Sequence, residues 1–166
     1  MRRILLTILA LALVSCSKIS QSDLQGNWHV DGIATQEITS NSDSGWRMQQ
    51  ALSAVFFEGE TLTFKKGILV PCPSADYALE AYEDYKGEVK YSLSGSKLTI
   101  PEIHYVKYKE YDNGNKEYSE TTYPALTFEV DLSSNAIRLT GTTEQTDNLG
   151  NVTKRTNMRL DLTRID

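Results

Sequence analysis

Apolar and polar residues alternate along most of this chain, which is the pattern of strands with one buried face. The most regular run is 126–132, where apolar residues occupy every second position. Similar alternation occurs in residues 24–33, 61–70, 88–100, 137–139 and 157–162, with short turns rich in Gly, Ser, Asn or Asp between them. The pattern predicts an all-β antiparallel meander of eight to ten strands. Since closure hides strand edges, we expect the meander to close into a β-barrel.

One segment has helical rather than strand spacing. Its apolar residues recur at steps of three and four, as on one helix face: Met48, Ala51, Leu52 and Val55. Asp43 or Ser44 precedes them as an N-cap. This predicts one helix after the first strand, ending near Phe57, with Trp46 in its first turn. Residues 34–43 are polar and irregular, and residues 74–85 fit either a helix or an extended loop.

A polar hairpin rich in tyrosine is predicted from Ile103 to Tyr123. Its turn is Asp112-Asn113-Gly114-Asn115, in which Asn-Gly favours tight reversal. Five tyrosines lie on it: Tyr105, Tyr108, Tyr111, Tyr118 and Tyr123. Tyrosine is favoured in recognition surfaces because it offers a large contact area at low entropy cost. It is also a common strand residue, so a recognition surface and an ordinary strand composition both stay open.

The N-terminal residues form an export signal. Arg2 and Arg3 precede an apolar run, 4–14, that is shorter than the roughly 20 residues needed to cross a bilayer. Leu13-Val14-Ser15-Cys16 resembles the lipobox of bacterial lipoproteins, whose cysteine is acylated and becomes the new N-terminus. The resemblance implies a signal peptide at 1–15, a tether with lipidated Cys16 at 16–22 and a barrel domain at 23–166. The alternative is an ordinary cleaved signal with a chance cysteine.

The same resemblance implies a location in the outer membrane, with the membrane as a partner through the lipid on Cys16. Lipoproteins of this kind that are exported to the cell surface usually carry acidic clusters just after the cysteine. Residues 17–22 contain no acid, and Asp23 stands alone. We therefore expect the protein to face the periplasm.

Charge and cysteine content narrow the possible partners. Removing residues 1–15 takes away Arg2 and Arg3 but no acid, so the formal charge goes from −5 to −7. Without a basic stripe to displace counterions, we expect no nucleic-acid partner. After acylation of Cys16 the remaining cysteine is Cys72, so no internal disulfide is expected.

Candidate catalytic groups are few. The imidazoles are His29 and His104, and a three-ligand metal site would need carboxylates from distant strands. Ser94 and Lys97 fit the S-x-x-K pattern, but they span a predicted turn rather than one turn of a helix. The acidic cluster within residues 80–84 is typical of a solvated face. We therefore predict no enzyme activity, no metal site and no cofactor.

The order of several short motifs resembles lipocalins. Gly26-x-Trp28 matches the G-x-W that opens their first strand. Leu-Thr-Phe at 62–64, Tyr-x-Leu at 91–93, Lys-Leu-Thr-Ile at 97–100, Leu-Thr-Phe-Glu-Val at 126–130 and Leu-Asp-Leu-Thr-Arg at 160–164 follow in order. Together they resemble the lipocalin-like domain of small lipoproteins from Gram-negative gut anaerobes. The resemblance implies a calycin-type barrel in which an arginine covers Trp28, and strand parity selects Arg164 rather than Arg159 for this position.

This resemblance implies a fold and a location, but no specific ligand. We expect non-enzymatic binding of a small apolar or amphipathic ligand, or of a partner protein of the envelope. The alternative is an inhibitor of a secreted or periplasmic enzyme, which would have to insert a loop because the N-terminus is lipidated. A roomy apolar cavity would favour a small ligand, and a filled core with an exposed aromatic patch would favour a protein partner.

Overall fold

The protein forms an antiparallel β-barrel, as the alternation predicts. The computed structural model describes residues 19–71, 88–110 and 113–165, with the backbone alone for residues 105–110 and 116. The elements in these ranges are α1 Gln21–Leu24, β1 Gly26–Thr39, β2 Ser42–Met48, β3 Ala51–Leu52, β4 Phe56–Phe57, β5 Thr61–Lys65, β6 Ile68–Pro71, β7 Val89–Lys90, β8 Ser92–Ser94, β9 Lys97–Ile100, β10 Ile103–Glu110, β11 Lys116–Tyr123, β12 Leu126–Leu132, β13 Ala136–Thr146 and β14 Val152–Ile165.

The main sheet curves into a nearly closed barrel. Its strand order is β7-β6-β5-β1-β14-β13-β12-β9-β8, and neighbours pair antiparallel. The two end strands of this order, β7 and β8, are separated in the chain by Tyr91 alone. One continuous stretch of chain therefore joins the two ends of the sheet. The Tyr91 amide donates to the carbonyl of Gly67 at 3.0 Å, and its hydroxyl donates to the carbonyl of Lys65 at 2.8 Å. We call this junction the seam.

The two ends of the barrel are built differently. At the lower end, β1 begins beside the end of β14, and Trp28 is the register partner of Arg164. At the upper end β1 continues to Thr39 and pairs with β2 on one side and β14 on the other. We call the resulting four-stranded region, residues 34–39, 42–48, 140–146 and 152–159, the upper sheet, in the order β2-β1-β14-β13.

Apolar side chains fill the described part of the barrel interior. The largest fully buried side chains are Trp28, Phe56, Phe64 and Phe128. Phe56 comes from the connection between β1 and β5, and its ring meets Phe128 edge-on with centroids 5.9 Å apart. Val55, next to it in the chain, is also buried. The connection between β1 and β5 therefore places Val55 and Phe56 in the barrel interior. We call these two side chains the interior plug.

The helix predicted after the first strand does not form in residues 43–57. This segment forms β2, β3 and β4 instead, and the one helix in the described ranges, α1, precedes β1. Gly45 and Ser53 adopt the left-handed backbone conformation, with φ of +65° and +60°, which interrupts a regular α-helix. The apolar residues spaced three and four apart therefore do not share one helix face. Val55 and Phe56 are buried in the barrel after a turn, whereas Met48 lies exposed on a largely polar strand.

Candidate functional site

The lower end contains the contact between Trp28 and Arg164. Trp28 is fully buried, and its indole nitrogen donates to the carbonyl of Leu24 at 2.8 Å. The guanidinium carbon of Arg164 lies 4.4 Å from the centroid of the Trp28 ring, within the range of a cation–π interaction. The hydrogen bond ties α1 to the first strand, and the arginine covers the ring from the last strand.

Arg164 also binds the chain that enters the barrel. Its two terminal nitrogens donate to the carbonyls of Gln25 at 3.0 Å and Asp23 at 2.9 Å. Gly26 has φ of +130°, and a β-carbon at this position would lie 3.0 Å from an Arg164 nitrogen. Glycine is therefore favoured by the backbone conformation, and a β-carbon would also press against the Arg164 side chain. Since two of its nitrogens bind backbone carbonyls and its plane covers Trp28, the geometry is that of a structural clamp rather than a binding site.

The outer face of the upper sheet exposes apolar side chains. Trp46 is 51% exposed and Met48 is 62% exposed, both on β2. Between them and β14 lies Ala34 of β1, which is buried although it belongs to the outer face. The guanidinium carbon of Arg159 lies 5.6 Å from the centroid of the Trp46 ring. The small side chain of Ala34 thus leaves room for Trp46 and Arg159 to meet across β1.

A ladder of polar side chains crosses all four strands beside Trp46. Thr142 of β13 donates to Asn157 of β14 at 3.0 Å, and Asn157 donates to Gln36 of β1 at 3.1 Å. Gln36 in turn donates to both carboxylate oxygens of Asp43 on β2, at 3.0 and 3.1 Å. The backbone amide of Gly45, followed by the Gln36 side chain, holds the pKa of Asp43 below its ordinary value. Asp43 is therefore an ionised acceptor that fixes the orientation of the whole ladder.

A groove of about 460 Å³ runs along this outer face. Trp46 lines one part of it, and Thr142 and Asn157 of the ladder line another. Lys97 and Glu129 also line it, and their charged atoms lie 3.8 Å apart. The charges of Lys97 and Glu129 therefore balance each other. The groove combines an exposed indole with neutral hydrogen-bonding groups.

The tyrosine-rich hairpin forms as predicted, with β10 and β11 paired as a separate two-stranded sheet. Tyr118 is 54% exposed, and Tyr123 is partly buried and packs against the core. For Tyr105 and Tyr108 only the backbone is described, and Tyr111 lies outside the described residues. The hairpin therefore presents Tyr118 to solvent, while Tyr123 contributes to packing.

The turn between β13 and β14 carries the most exposed large apolar side chain, Leu149, at 87%. The carboxylate of Asp147 accepts the backbone amides of Leu149 at 2.8 Å and Asn151 at 2.9 Å, and the Asn151 side chain at 3.0 Å. The Asn151 side chain is the largest cause of the lowered pKa of Asp147. These bonds present Leu149 on an ordered turn.

The remaining sequence candidates stay apart. His104 lies 3.1 Å from the Thr122 hydroxyl on the exposed hairpin, and Ser94 and Lys97 flank the β8–β9 turn. In the described ranges no group of three His, Cys, Asp or Glu residues could hold a metal ion. No helix there is long and apolar enough to span a bilayer. Cys16, Cys72 and the acids at 80–84 lie outside these ranges.

Sequence reasoning missed the groove. It placed Trp46 on a helix and treated residues 34–43 as irregular, so the pairing of β1 with β2 was not recognised. The exposed tryptophan beside a polar segment was the one available signal. The chain matches no protein-family model, and no curated protein matches it.

Proposed function

We propose that the chain is a lipid-anchored, lipocalin-like β-barrel of the bacterial cell envelope, and that it acts by binding rather than by catalysis. The lipobox-like ending at Cys16 supports the anchor. The clamp of Gly26, Trp28 and Arg164 and the up-and-down order of the strands support the lipocalin comparison. The separation of the candidate catalytic groups favours binding.

The binding surface in this proposal is the outer face of the upper sheet, and the position of Phe56 carries the argument. Its ring occupies the interior against Phe128, where a lipocalin-type ligand would lie. The exposed aromatic side chain with a groove beside it is instead Trp46. A buried aromatic cluster inside the barrel and an aromatic groove outside it favour recognition from outside the barrel.

The anchor is tested by membrane fractionation of the full chain. Cys16→Ala should move the protein from the membrane fraction to the soluble fraction, because it removes the acylated side chain. Cys72→Ala is the matched control and should remain with the membrane. A Cys16→Ala protein that still sediments with membranes would show that another feature holds it there.

Orientation is a separate part of the proposal. A periplasm-facing protein should survive protease treatment of intact cells and be digested once the outer membrane is permeabilised. Rapid loss from intact cells would place it on the surface.

The location of the binding surface is tested by native mass spectrometry of the full chain released from detergent. We expect no bound lipid beyond the acyl groups on Cys16, because the Phe56 ring lies in the interior against Phe128. A co-purifying apolar molecule would move the binding site into the barrel.

The turn at Leu149 supports a second candidate, an inhibitor of a secreted or periplasmic enzyme. Its apolar side chain is almost fully exposed on an ordered turn, a form suited to insertion into a hydrophobic specificity pocket. The protein should then inhibit a chymotrypsin-type protease, and Leu149→Ala should abolish the inhibition while Val152→Ala retains it. Absence of inhibition, or equal loss in both variants, would dismiss this candidate.

A further inference from the structure

We propose that the outer groove is a saccharide-binding site, with Trp46 as its stacking platform and a neutral oligosaccharide as its ligand. This inference rests on the proposed function, since it gives a ligand class to the binding surface assigned there. Three properties of the groove support it: an exposed aromatic face, oriented hydrogen-bonding groups and balanced charge.

The Trp46 indole supplies the aromatic face. A pyranose ring presents C–H groups on one face and hydroxyls around its rim, so it pairs with a flat aromatic surface that has polar groups beside it. Trp46 is half-exposed and lines the groove. The guanidinium of Arg159 lies 5.6 Å from the ring centroid, which restrains the indole before a ligand arrives. A restrained platform loses less side-chain entropy on binding.

The ladder supplies oriented groups for the hydroxyls of a sugar. Asn157 uses one amide hydrogen on Gln36 and one lone pair of its oxygen for Thr142. A side-chain amide has two hydrogens and two lone pairs, so the ladder uses one of each, and Asn157 lines the groove. The Thr142 hydroxyl donates to Asn157, which leaves its oxygen as an acceptor. These groups are therefore fixed in direction and still able to bind a ligand.

Charge favours a neutral sugar over an anionic one. Lys97 and Glu129, both in the lining, form an ion pair at 3.8 Å. Arg159, beside the groove, lies 3.4 Å from Asp161, which also binds Arg138 at 2.6 Å, and the charge of Asp131 acts on Arg138 as well. An acidic saccharide would have to break one of these pairs. The volume of about 460 Å³ lies within the roughly 300–1,000 Å³ typical of small-ligand pockets, which suits a short oligosaccharide.

The two tryptophans make the test direct. The chain contains two, Trp28 and Trp46, and Trp28 is fully buried. Acrylamide quenching of the full chain in detergent should therefore act on one accessible tryptophan, and Trp46→Ala should remove that component. Titration with maltotriose, cellotriose and mannotriose, followed by fluorescence and calorimetry, should give saturable binding of at least one of them.

Variants separate this inference from the proposed function. Trp46→Ala should weaken saccharide binding at least about tenfold, or about 1.4 kcal/mol, and Trp46→Tyr should retain most of it. Met48→Ala is the matched control on the same strand: it is equally exposed but outside the groove lining, so binding should not change.

If none of the three sugars binds while Trp46 is quenched by acrylamide, saccharide binding is overturned and the proposed outer surface stands. A Trp46 that acrylamide does not reach overturns the surface itself. Equal loss of sugar binding in Trp46→Ala and Met48→Ala also overturns the saccharide site.

Discussion

Replacing Arg164 with alanine tests how the two ends of the chain hold the lower end of the barrel. The side chain covers the Trp28 ring at 4.4 Å and binds the carbonyls of Asp23 and Gln25. Alanine removes all three interactions and leaves the two carbonyls without this partner. It also uncovers one face of the Trp28 ring, which is otherwise fully buried.

The expected loss follows from these contacts. A cation–π pair contributes about 0.5–2 kcal/mol, and a hydrogen bond from a charged donor contributes roughly 1.5–3 kcal/mol. Arg164 is only partly buried, so water compensates for much of both hydrogen bonds. We therefore expect the free energy of unfolding to fall by about 2–3 kcal/mol. In a domain of this size, that corresponds to a decrease in Tm of roughly 4–12 °C.

Urea unfolding followed by circular dichroism, in a Cys16→Ala background without lipid, measures the loss. Arg164→Lys should fall between wild type and alanine, because lysine keeps the charge over the ring but lacks the forked donors. Arg159→Ala is the matched control, because Arg159 lies on the same strand as Arg164 and makes its cation–π contact with the exposed ring of Trp46 on β2; it should cost less than about 1 kcal/mol. An Arg164→Ala protein as stable as wild type, or equal losses at both arginines, would refute the reasoning.

Phe56→Ala should lower the free energy of unfolding by about 3–5 kcal/mol, and the space left against Phe128 should bind an anilinonaphthalene sulfonate dye; unchanged dye fluorescence would contradict the interior plug. Gly26→Ala should destabilise through its strained φ and its contact with Arg164, and a double-mutant cycle with Arg164→Ala should show losses smaller than additive. Asp147 has a lowered pKa, so its contribution to the turn is present above the ordinary carboxyl pKa and is lost as pH falls through the lowered one. An NMR titration of this carboxyl should show the low midpoint, and an ordinary midpoint would argue against the ordered turn.

The barrel strands could be predicted because their signal is local. In Leu126–Leu132 every second residue is apolar, and the structure buries Leu126, Phe128 and Val130. The resemblance to lipocalins implied that an arginine covers Trp28, and the same parity selected Arg164, given that the first and last strands pair. The carbonyl partners of Arg164 did not follow, because they depend on how α1 enters the barrel.

The upper sheet could not be predicted from periodicity. Residues 34–39 and 42–48 form strands whose side chains are mostly polar on both faces, so no alternation marks them. Their pairing with each other and with β14 depends on residues far apart in the sequence. The candidate site was missed for this reason: Trp46, Asn157 and Thr142 meet only after that pairing.

The pairing of β6 with β7, next to the seam at Tyr91, is where we expect the barrel to open most easily. Among the described residues, β6 and β7 pair at two positions, Ile68 with Lys90 and Leu69 with Val89, whereas β1 and β14 pair along nearly their whole length. Local opening follows the weakest set of backbone hydrogen bonds, so amides at the seam should exchange with solvent sooner than those of β1. We therefore expect the barrel wall to separate transiently at this pairing more often than at the pairing of β1 with β14.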